Sequence, residues 1–257
     1  MHEWTWDPDD FAALWYSDAN DRFPNPLHYQ SSFVLRDEFA AHAVAVRNRY
    51  SRDEMERIQL AVHTLTTSDM RIEILGGTMK HKGRDGRVRM YRIVGARNPY
   101  HAVTLTQTAT VDLDGPIRLR MCRPADLPGH IAKSIPAREP GREKPATFHV
   151  GDLQPRRTGH FEETSRGNPR EQYQRLLQRP ADGGGSAGLL TGPINTVSQP
   201  WNVLQWHDIT DDGRYLERRS GDQISVRPVT AQELSAHFTA WIDRALQRLR
   251  ADEDETW

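Results

Sequence analysis

The 257-residue sequence has a single cysteine, Cys122, and no long run of apolar residues. One cysteine excludes an internal disulfide and favours a reducing compartment. No window approaches the roughly 18 apolar residues that a membrane-spanning helix needs, and the first seven residues lack the basic and apolar regions of a secretory signal. The formal net charge of -1 gives no overall attraction to nucleic acid or to an acidic membrane. We therefore expect a cytoplasmic protein with neither nucleic acid nor membrane as its partner.

The sequence also lacks any grouping of residues typical of catalysis or metal binding. Its 11 histidines include no pair at the HxH or HxxxH spacing, and one cysteine cannot form a zinc site of the usual kind. The acidic pairs Asp9-Asp10 and Asp211-Asp212 stand at a predicted helix start and a predicted turn, where carboxylates are common for structural reasons. We predict no catalytic residue, no metal and no cofactor.

One motif leaves an enzymatic alternative open. Residues Gly184–Gly188 read Gly-Gly-Ser-Ala-Gly, the GxSxG pattern that surrounds the nucleophile of many hydrolases. That motif requires a buried strand before it and a helix after it, whereas polar residues precede this copy and Leu189-Leu-Thr follows. We interpret Gly183–Gly185 as the end of a helix and the motif as a flexible turn. A hydrolase that uses Ser186 is the alternative.

Helical signals are clear towards both ends of the chain. Asp7-Pro8 is a typical helix start, a second helix is predicted over about 35–49, and Ser51–Glu54 has the pattern of a capping box that opens a third. Near the C-terminus, Thr230–Glu233 is another capping box, and the apolar stripe that follows it predicts a final helix of about five turns.

Between these helices, apolar residues alternate with polar ones, which is the period of half-buried strands. Such alternation is typical of an antiparallel sheet, because parallel strands are usually buried on both faces. The predicted strands cover 70–75, 88–94, 102–108, 117–121, 147–150, 189–191, 201–208, 214–218 and 223–227. Asp211–Gly213 is predicted to be a hairpin turn, with Gly213, Arg214 and Tyr215 in structural roles.

An internal repeat is indicated by an ungapped alignment of Ile117–Ile131 with Ile224–Phe238. Arg120 coincides with Arg227 and His130 with His237, and each copy is a last strand that leads into a capped helix. The alternative is that any junction between a strand and a helix has this appearance. The repeat predicts halves of about 1–133 and 145–257 in one domain, joined by a linker of about 134–168 with a mobile stretch near 156–167.

Two tryptophans near the second-half strands bear on binding. Trp201 and Trp206 are five residues apart, so that on a regular strand they face opposite sides of the sheet. We favour the interpretation that flanking helices cover both. The alternative is that one lies in the core and the other is an exposed anchor, because tryptophan is enriched at interface hot spots.

Taken together, the chain resembles the EspG family, the cytosolic chaperones of the actinobacterial type VII (ESX) secretion system. The resemblance rests on Phe11-Ala-Ala-Leu-Trp15, Phe23-Pro-Asn-Pro-Leu27, Arg87-Val-Arg-Met-Tyr-Arg92, Tyr173–Gly185 and, above all, Asp208 followed by Gly213-Arg-Tyr-Leu216. The resemblance implies an α+β fold in which a quasi-two-fold central antiparallel β-sheet is flanked by two helical subdomains. It also implies a single EspG-like domain over 1–257.

The same resemblance implies a non-catalytic chaperone or adaptor. Its partner would be a PE–PPE heterodimer, or a similar helical secretion substrate, whose PPE tip it binds and keeps soluble for export. Weak self-association is a further expectation. The residues that we expect to contact this partner are Arg97, Asn98, Tyr100, Trp201, Val203 and Gln205.

Overall fold

The computed structural model describes residues 2–80, 88–110, 112–154 and 168–254. Its helices are α1 (Pro8–Trp15), α2 (Arg36–Arg47), α3 (Arg52–Thr66), α4 (Leu127–Ser134), α5 (Val150–Leu153), α6 (Pro169–Leu177) and α7 (Ala231–Asp254). Its strands are β1 (Glu3–Trp6), β2 (Met70–Thr78), β3 (Arg89–Arg97), β4 (Ala102–Ala109), β5 (Asp114–Cys122), β6 (Ala146–His149), β7 (Ala181–Thr191), β8 (Asn202–Ile209), β9 (Arg214–Ser220) and β10 (Gln223–Pro228). The stretch near 156–167 that was predicted to be mobile lies outside the described residues.

The ten strands form one antiparallel sheet in the order β1-β5-β4-β3-β2-β7-β8-β9-β10-β6. Four consecutive strands form a meander in each half, β2 to β5 and β7 to β10, and an earlier strand, β1 or β6, is added at the outer edge. A helix follows each meander, α4 in the first half and α7 in the second. The predicted α+β class with a quasi-two-fold antiparallel sheet is confirmed, whereas the residue boundaries of the two halves stay a prediction.

Helices cover the two faces of the sheet unequally. The α4 and α7 helices lie on one face and contact each other. That face carries the largest cluster of buried residues, which includes Ile72, Leu189, Trp206, Phe238 and Trp241. On the other face, α1 and α3 cover the first-half strands, while α6 packs on the outer strands of the second half. Two helical layers therefore flank the sheet on that side.

Strand β1 and helix α7 are among the elements that differ from the sequence predictions. The strand β1 was not predicted, although Glu3-Trp-Thr-Trp6 alternates; it pairs with β5, and the indole nitrogen of Trp6 donates to the Tyr50 hydroxyl at 2.6 Å. The final helix, α7, has 24 residues, which is longer than the expected five turns because polar residues extend it beyond its apolar stripe.

The two halves meet where β2 pairs with β7, from Met70 opposite Thr191 to Thr78 opposite Gly183. We call this pairing the seam. In one cross-strand row of the seam, Gly76 stands opposite Gly185, and the aromatic rings of Tyr91 and Trp206 flank the two glycines.

Glycine is required in this row because two large rings occupy the space above it. A Cβ on Gly185 would lie 2.5 Å from the Trp206 ring and 2.9 Å from the Tyr91 hydroxyl. The Trp206 indole nitrogen donates to that hydroxyl at 3.2 Å, and the hydroxyl donates to the Gly184 carbonyl at 2.9 Å. The prediction that Gly183–Gly185 end a helix was therefore wrong, because these glycines lie inside β7.

The structure supports the internal repeat through a shared contact. Arg120 Nη1 lies 3.4 Å from His130 Nδ1, and Arg227 Nη2 lies 2.6 Å from His237 Nε2. These are the aligned residues of the two halves, and each pair joins the last strand of a meander to the helix after it. A chance resemblance between two strand–helix junctions does not account for the same pairing in both.

Burial and the neighbouring arginines lower the pKa of both His130 and His237. Around His130 these charged groups are Arg120, Lys133, Asp126 and Glu3. Around His237 they are Arg227, Arg218, Glu233 and Arg244. The unfolded chain, in which a histidine titrates near 6.5, binds more protons than the folded one just below that pH. The contribution of these two histidines to the free energy of unfolding is therefore fully present above about pH 6.5. It is lost as the pH falls through their pKa values in the folded protein.

We expect the double variant His130→Gln/His237→Gln to lose less free energy of unfolding than wild type between about pH 7 and pH 5. Glutamine cannot take up the proton that places a second cation beside each arginine. Urea unfolding at a series of pH values measures the difference. A double variant with the wild-type slope in this window would contradict the explanation.

The seam predicts a large effect for Gly185→Ala. The added methyl group has to displace Trp206 or Tyr91, and we expect the free energy of unfolding to fall by about 1–3 kcal/mol. Gly188→Ala in the same strand is the matched control, because its Cβ would meet Pro200 at an ordinary 3.4 Å, and its effect should be below roughly 0.5 kcal/mol. Chemical denaturation measures both, and equal losses would show that the two rings do not impose the glycine.

Candidate partner-binding surface

The centre of the sheet is open on the face opposite α4 and α7. Between the α1–α3 layer and α6, the side chains of Leu75, Ser186, Val203 and Gln205 lie on that face. We call these four residues the central trough. Leu75 on β2, Ser186 on β7 and Gln205 on β8 stand in one cross-strand row, and neighbouring strands are about 5 Å apart, so the row spans roughly 10 Å.

Apolar surface is exposed in the central trough. Leu75 is 45% exposed and Val203 is 48% exposed, although both lie in the interior of a large sheet. Gly188 pairs with Val203, and Gly77 pairs with Gly184 one row further along. Neighbouring side chains fill the space beside two of these glycines, because a Cβ would lie 2.9 Å from Val88 on Gly77 and 3.4 Å from Pro200 on Gly188. The exposed apolar surface of the trough is therefore that of Leu75 and Val203.

A polar rim borders the trough on the first-half side. The carboxylate of Glu73 accepts from Arg71 Nε at 2.6 Å and from the Asn25 side chain at 2.5 Å. Arg92 Nη1 donates to Asp114 at 2.9 Å. Arg71 also donates to the carbonyls of Gly192, Pro193 and Thr196 at 2.8–3.0 Å, which holds the loop after β7 beside the trough.

The second-half rim is a hydrogen-bonded group centred on Glu217. His207 Nε2 lies 2.8 Å from one Glu217 oxygen, and the Tyr173 hydroxyl of α6 donates to the other at 2.9 Å. The hydrogen bond from His207, with that from Tyr173, lowers the pKa of Glu217 despite its burial. Burial and Glu217 raise the pKa of Tyr173 to about 12. An apolar centre with a polar border is the usual anatomy of a protein–protein interface.

A model of the EspG family matches residues 7–239 of the chain. The chain belongs to the EspG family. Among solved structures it is similar to the Mycobacterium tuberculosis type VII secretion system chaperone EspG5 in complex with the PE25–PPE41 dimer, at 13% identity, with a TM-score of 0.56 over 91% of this chain and 94% of that chain. At this identity the similarity shows the fold. No curated protein sequence matches the chain.

The six residues expected to contact a partner lie in three places in this EspG-family chain. Val203 and Gln205 are exposed in the central trough. Trp201 lies under α7, with the Arg248 guanidinium 4.5 Å from its ring centre, and it packs on the same cluster as Trp206. The interpretation that helices cover both tryptophans agrees with this packing. The expectation that they face opposite sides of the sheet was wrong, because Trp201 precedes β8 and does not follow its alternation.

The first-half candidates lie at the turn between β3 and β4. Arg97 is half-buried, and burial lowers its pKa. The Asn98 side-chain oxygen accepts from the backbone nitrogens of Tyr100 at 3.0 Å and His101 at 2.8 Å, so that it shapes the turn. Tyr100 is 80% exposed and lines a cavity of about 540 Å³ with Leu60 and other residues.

Leu75 was missed as a candidate, although the sequence carries a signal for it. Met70, Ile72 and Ile74 are the inward residues of β2, so an aliphatic residue at position 75 breaks the alternation on the outward face. Val203 breaks the alternation of β8 in the same way, beside inward Leu204. Most of the rim contacts could not be predicted, because they join residues far apart in the chain, such as Asn25 with Glu73 and Tyr173 with Glu217.

Ser186 lies in the middle of β7, and the flexible turn predicted there was wrong. The His207–Glu217 pair is on the same face of the sheet, but among the described residues no hydrogen bond joins Ser186 to His207. The strand–turn–helix geometry that exposes the serine of a GxSxG hydrolase is also not found at this position. Within the described ranges, no group of three or more His, Cys, Asp or Glu side chains is placed to hold a metal, and no helix is long and apolar enough to cross a membrane.

We expect Ser186→Ala to leave the hydrolysis of p-nitrophenyl esters at the level of wild type, because no hydrogen bond joins Ser186 to a histidine or carboxylate in the described part of the chain. Release of p-nitrophenolate measures this, with His207→Gln as a parallel variant. Turnover that requires both side chains, or covalent labelling of Ser186 by a fluorophosphonate, would establish the hydrolase alternative instead.

Proposed function

We propose that this protein is a non-catalytic, cytoplasmic chaperone of a type VII secretion system. Its substrate is a PPE-like helical protein, or a PE–PPE heterodimer, whose tip it covers until export. Membership of the EspG family supports this proposal, as does a fold shared with EspG5, which forms a complex with the PE25–PPE41 dimer.

The observation that carries the proposal is the central trough. Exposed aliphatic side chains inside a sheet, bordered by hydrogen-bonded charges, suit a partner with an apolar end and polar sides. Burying the exposed half of Leu75 and of Val203 contributes about 1 kcal/mol each. Hydrophobic contacts of this size favour moderate affinity, as a chaperone that must release its substrate requires.

We assign the six candidate residues different parts in this interaction. Val203 and Gln205, with Leu75, contact the substrate directly. Tyr100, which is strongly exposed, forms a separate contact at the end of the sheet. Arg97, Asn98 and Trp201 are engaged within the fold, and they position the elements beside these contacts. In the free protein the uncovered trough is the surface through which copies associate weakly.

Co-expression with PE–PPE pairs from the same genome tests the proposal. We expect Leu75→Glu and Val203→Glu each to reduce the recovered complex at least tenfold. Either change places a charge where an apolar helix end would be buried, and an unpaired buried charge costs more than about 1.4 kcal/mol. Leu113→Glu is the control, since Leu113 is 71% exposed in the turn between β4 and β5. The readout is the yield of complex in affinity purification followed by size exclusion.

The free variants must first show the wild-type melting temperature. The proposal fails if wild type forms no complex with any such pair. The assignment of the trough fails if the wild-type complex forms and the two trough variants bind as well as Leu113→Glu.

A further inference from the structure

A second concave region lies on the other face of the sheet, beyond the C-terminal end of α4. It is a cavity of about 520 Å³ over β1, β3, β4 and β5, a volume in the usual range for small-molecule sites. Two kinds of polar residue that line it matter here. Three are cationic, Arg118, Arg120 and Lys133, and several carry hydroxyls, among them Thr5, Thr104, Thr106 and Thr108. Arg92 and Gln107 also line the cavity, but their side chains bond to Asp114 and to the backbone of His28.

The charges of the cavity are unbalanced. The only carboxylate that forms salt bridges with these three cations, among the described residues, is that of Glu3, which contacts both Arg118 and Arg120. Lys133 forms no salt bridge with another described residue. Three cations against one carboxylate leave an excess of positive charge. The position of the Glu3 carboxylate shows that the two guanidinium groups can hold an anion in common.

The threonine hydroxyls add hydrogen-bonding capacity that the protein itself does not use. In the described parts of the chain, none of these four side chains donates or accepts a hydrogen bond. Thr104 is buried, but its hydroxyl opens into the cavity and is not among the enclosed polar atoms that lack a partner. Thr104 lies opposite Arg120, and Thr106 lies opposite Arg118, so each hydroxyl stands beside a guanidinium group.

The second half of the protein shows that the fold does not require this polar lining. Arg227 corresponds to Arg120, and the residue opposite Arg227 is the buried Leu216, where the first half has Thr104. Ser225 replaces Arg118 in the alignment, and Ala240 replaces Lys133 when the alignment is continued by two residues. The helix that follows is also longer, 24 residues in α7 against 8 in α4, so that only the first half leaves this part of the sheet uncovered.

We propose that this cavity binds a small phosphorylated molecule. The phosphoryl oxygens would accept from Arg118 and Lys133 and from the hydroxyls of Thr106 and Thr104, with Arg120 held in place by Glu3 and His130. Arginine forks and lysine point charges are the groups that recognise phosphate in proteins. The site lies on the opposite face of the sheet from the central trough, and it does not depend on the proposed chaperone function.

Calorimetric titration with glycerol 3-phosphate, at fixed ionic strength, tests the proposal. Lys133→Gln removes one charge-assisted hydrogen bond and should weaken binding about tenfold. Thr106→Val keeps the shape of the side chain but removes its hydroxyl, and it should weaken binding several-fold. Arg219→Gln is the matched control, because Arg219 is exposed on β9 and its loss removes the same charge outside the cavity. Glu3→Gln should bind more tightly, since a competing carboxylate is removed.

Inorganic phosphate and vesicles of phosphatidylcholine with phosphatidic acid are titrated in parallel, because a lipid headgroup presents the same phosphoryl chemistry. Binding of glycerol 3-phosphate that depends on Lys133 and Thr106 supports the proposal. No binding of either soluble phosphate, or equal weakening in Lys133→Gln and Arg219→Gln, overturns it. Binding to the vesicles alone overturns the small-molecule assignment. Wild-type melting temperatures in the variants exclude a loss through misfolding.

Discussion

The arrangement of the second half depends on one buried cation, Arg214. Its guanidinium donates to both oxygens of Asp208 at 2.6 and 2.8 Å and to the Pro136 carbonyl at 2.8 Å. Its backbone nitrogen donates to Glu139, and its carbonyl accepts from Val229. The β8–β9 hairpin, the connection between the halves and the start of α7 therefore meet at one residue. Because a buried charge is tolerated only when it is fully paired, these segments have to be placed together.

The strands and most helix starts could be predicted, because alternation and capping residues are local signals. The Asp208 to Leu216 motif was the most specific part of the family resemblance, and the structure gives its physical reason in the buried ion pair. The glycines of β7 were misread because their cause, the rings of Tyr91 and Trp206, is not local. Trp201 was misplaced because the strand begins one residue after it. The trough could not be predicted because its central row joins β2 of the first half to β7 and β8 of the second.

The two faces of the sheet suit different chemistry. On the side of α1–α3 and α6, an incomplete helical cover leaves aliphatic side chains exposed between polar rims. On the side of α4 and α7, the short α4 leaves hydroxyls and cations exposed. Since successive residues of a strand point to opposite faces, outward Leu75 is the direct neighbour of inward Ile74 and of Gly76 in the seam. A partner that binds the trough thus packs on the same strands that join the halves, and it stabilises the folded chain by mass action.

The seam also has a consequence for assembly. Its two strands lie more than a hundred residues apart in sequence, as the pairing of Met70 with Thr191 shows, so its closure carries the entropic cost of a long-range contact. A β7 strand from another copy offers the same edge and the same glycine row to β2. Exchange of halves between two chains would preserve every contact of the seam and create a domain-swapped dimer with two troughs. The duplicated architecture that builds the binding surface thereby provides a route to oligomers that needs no new interface.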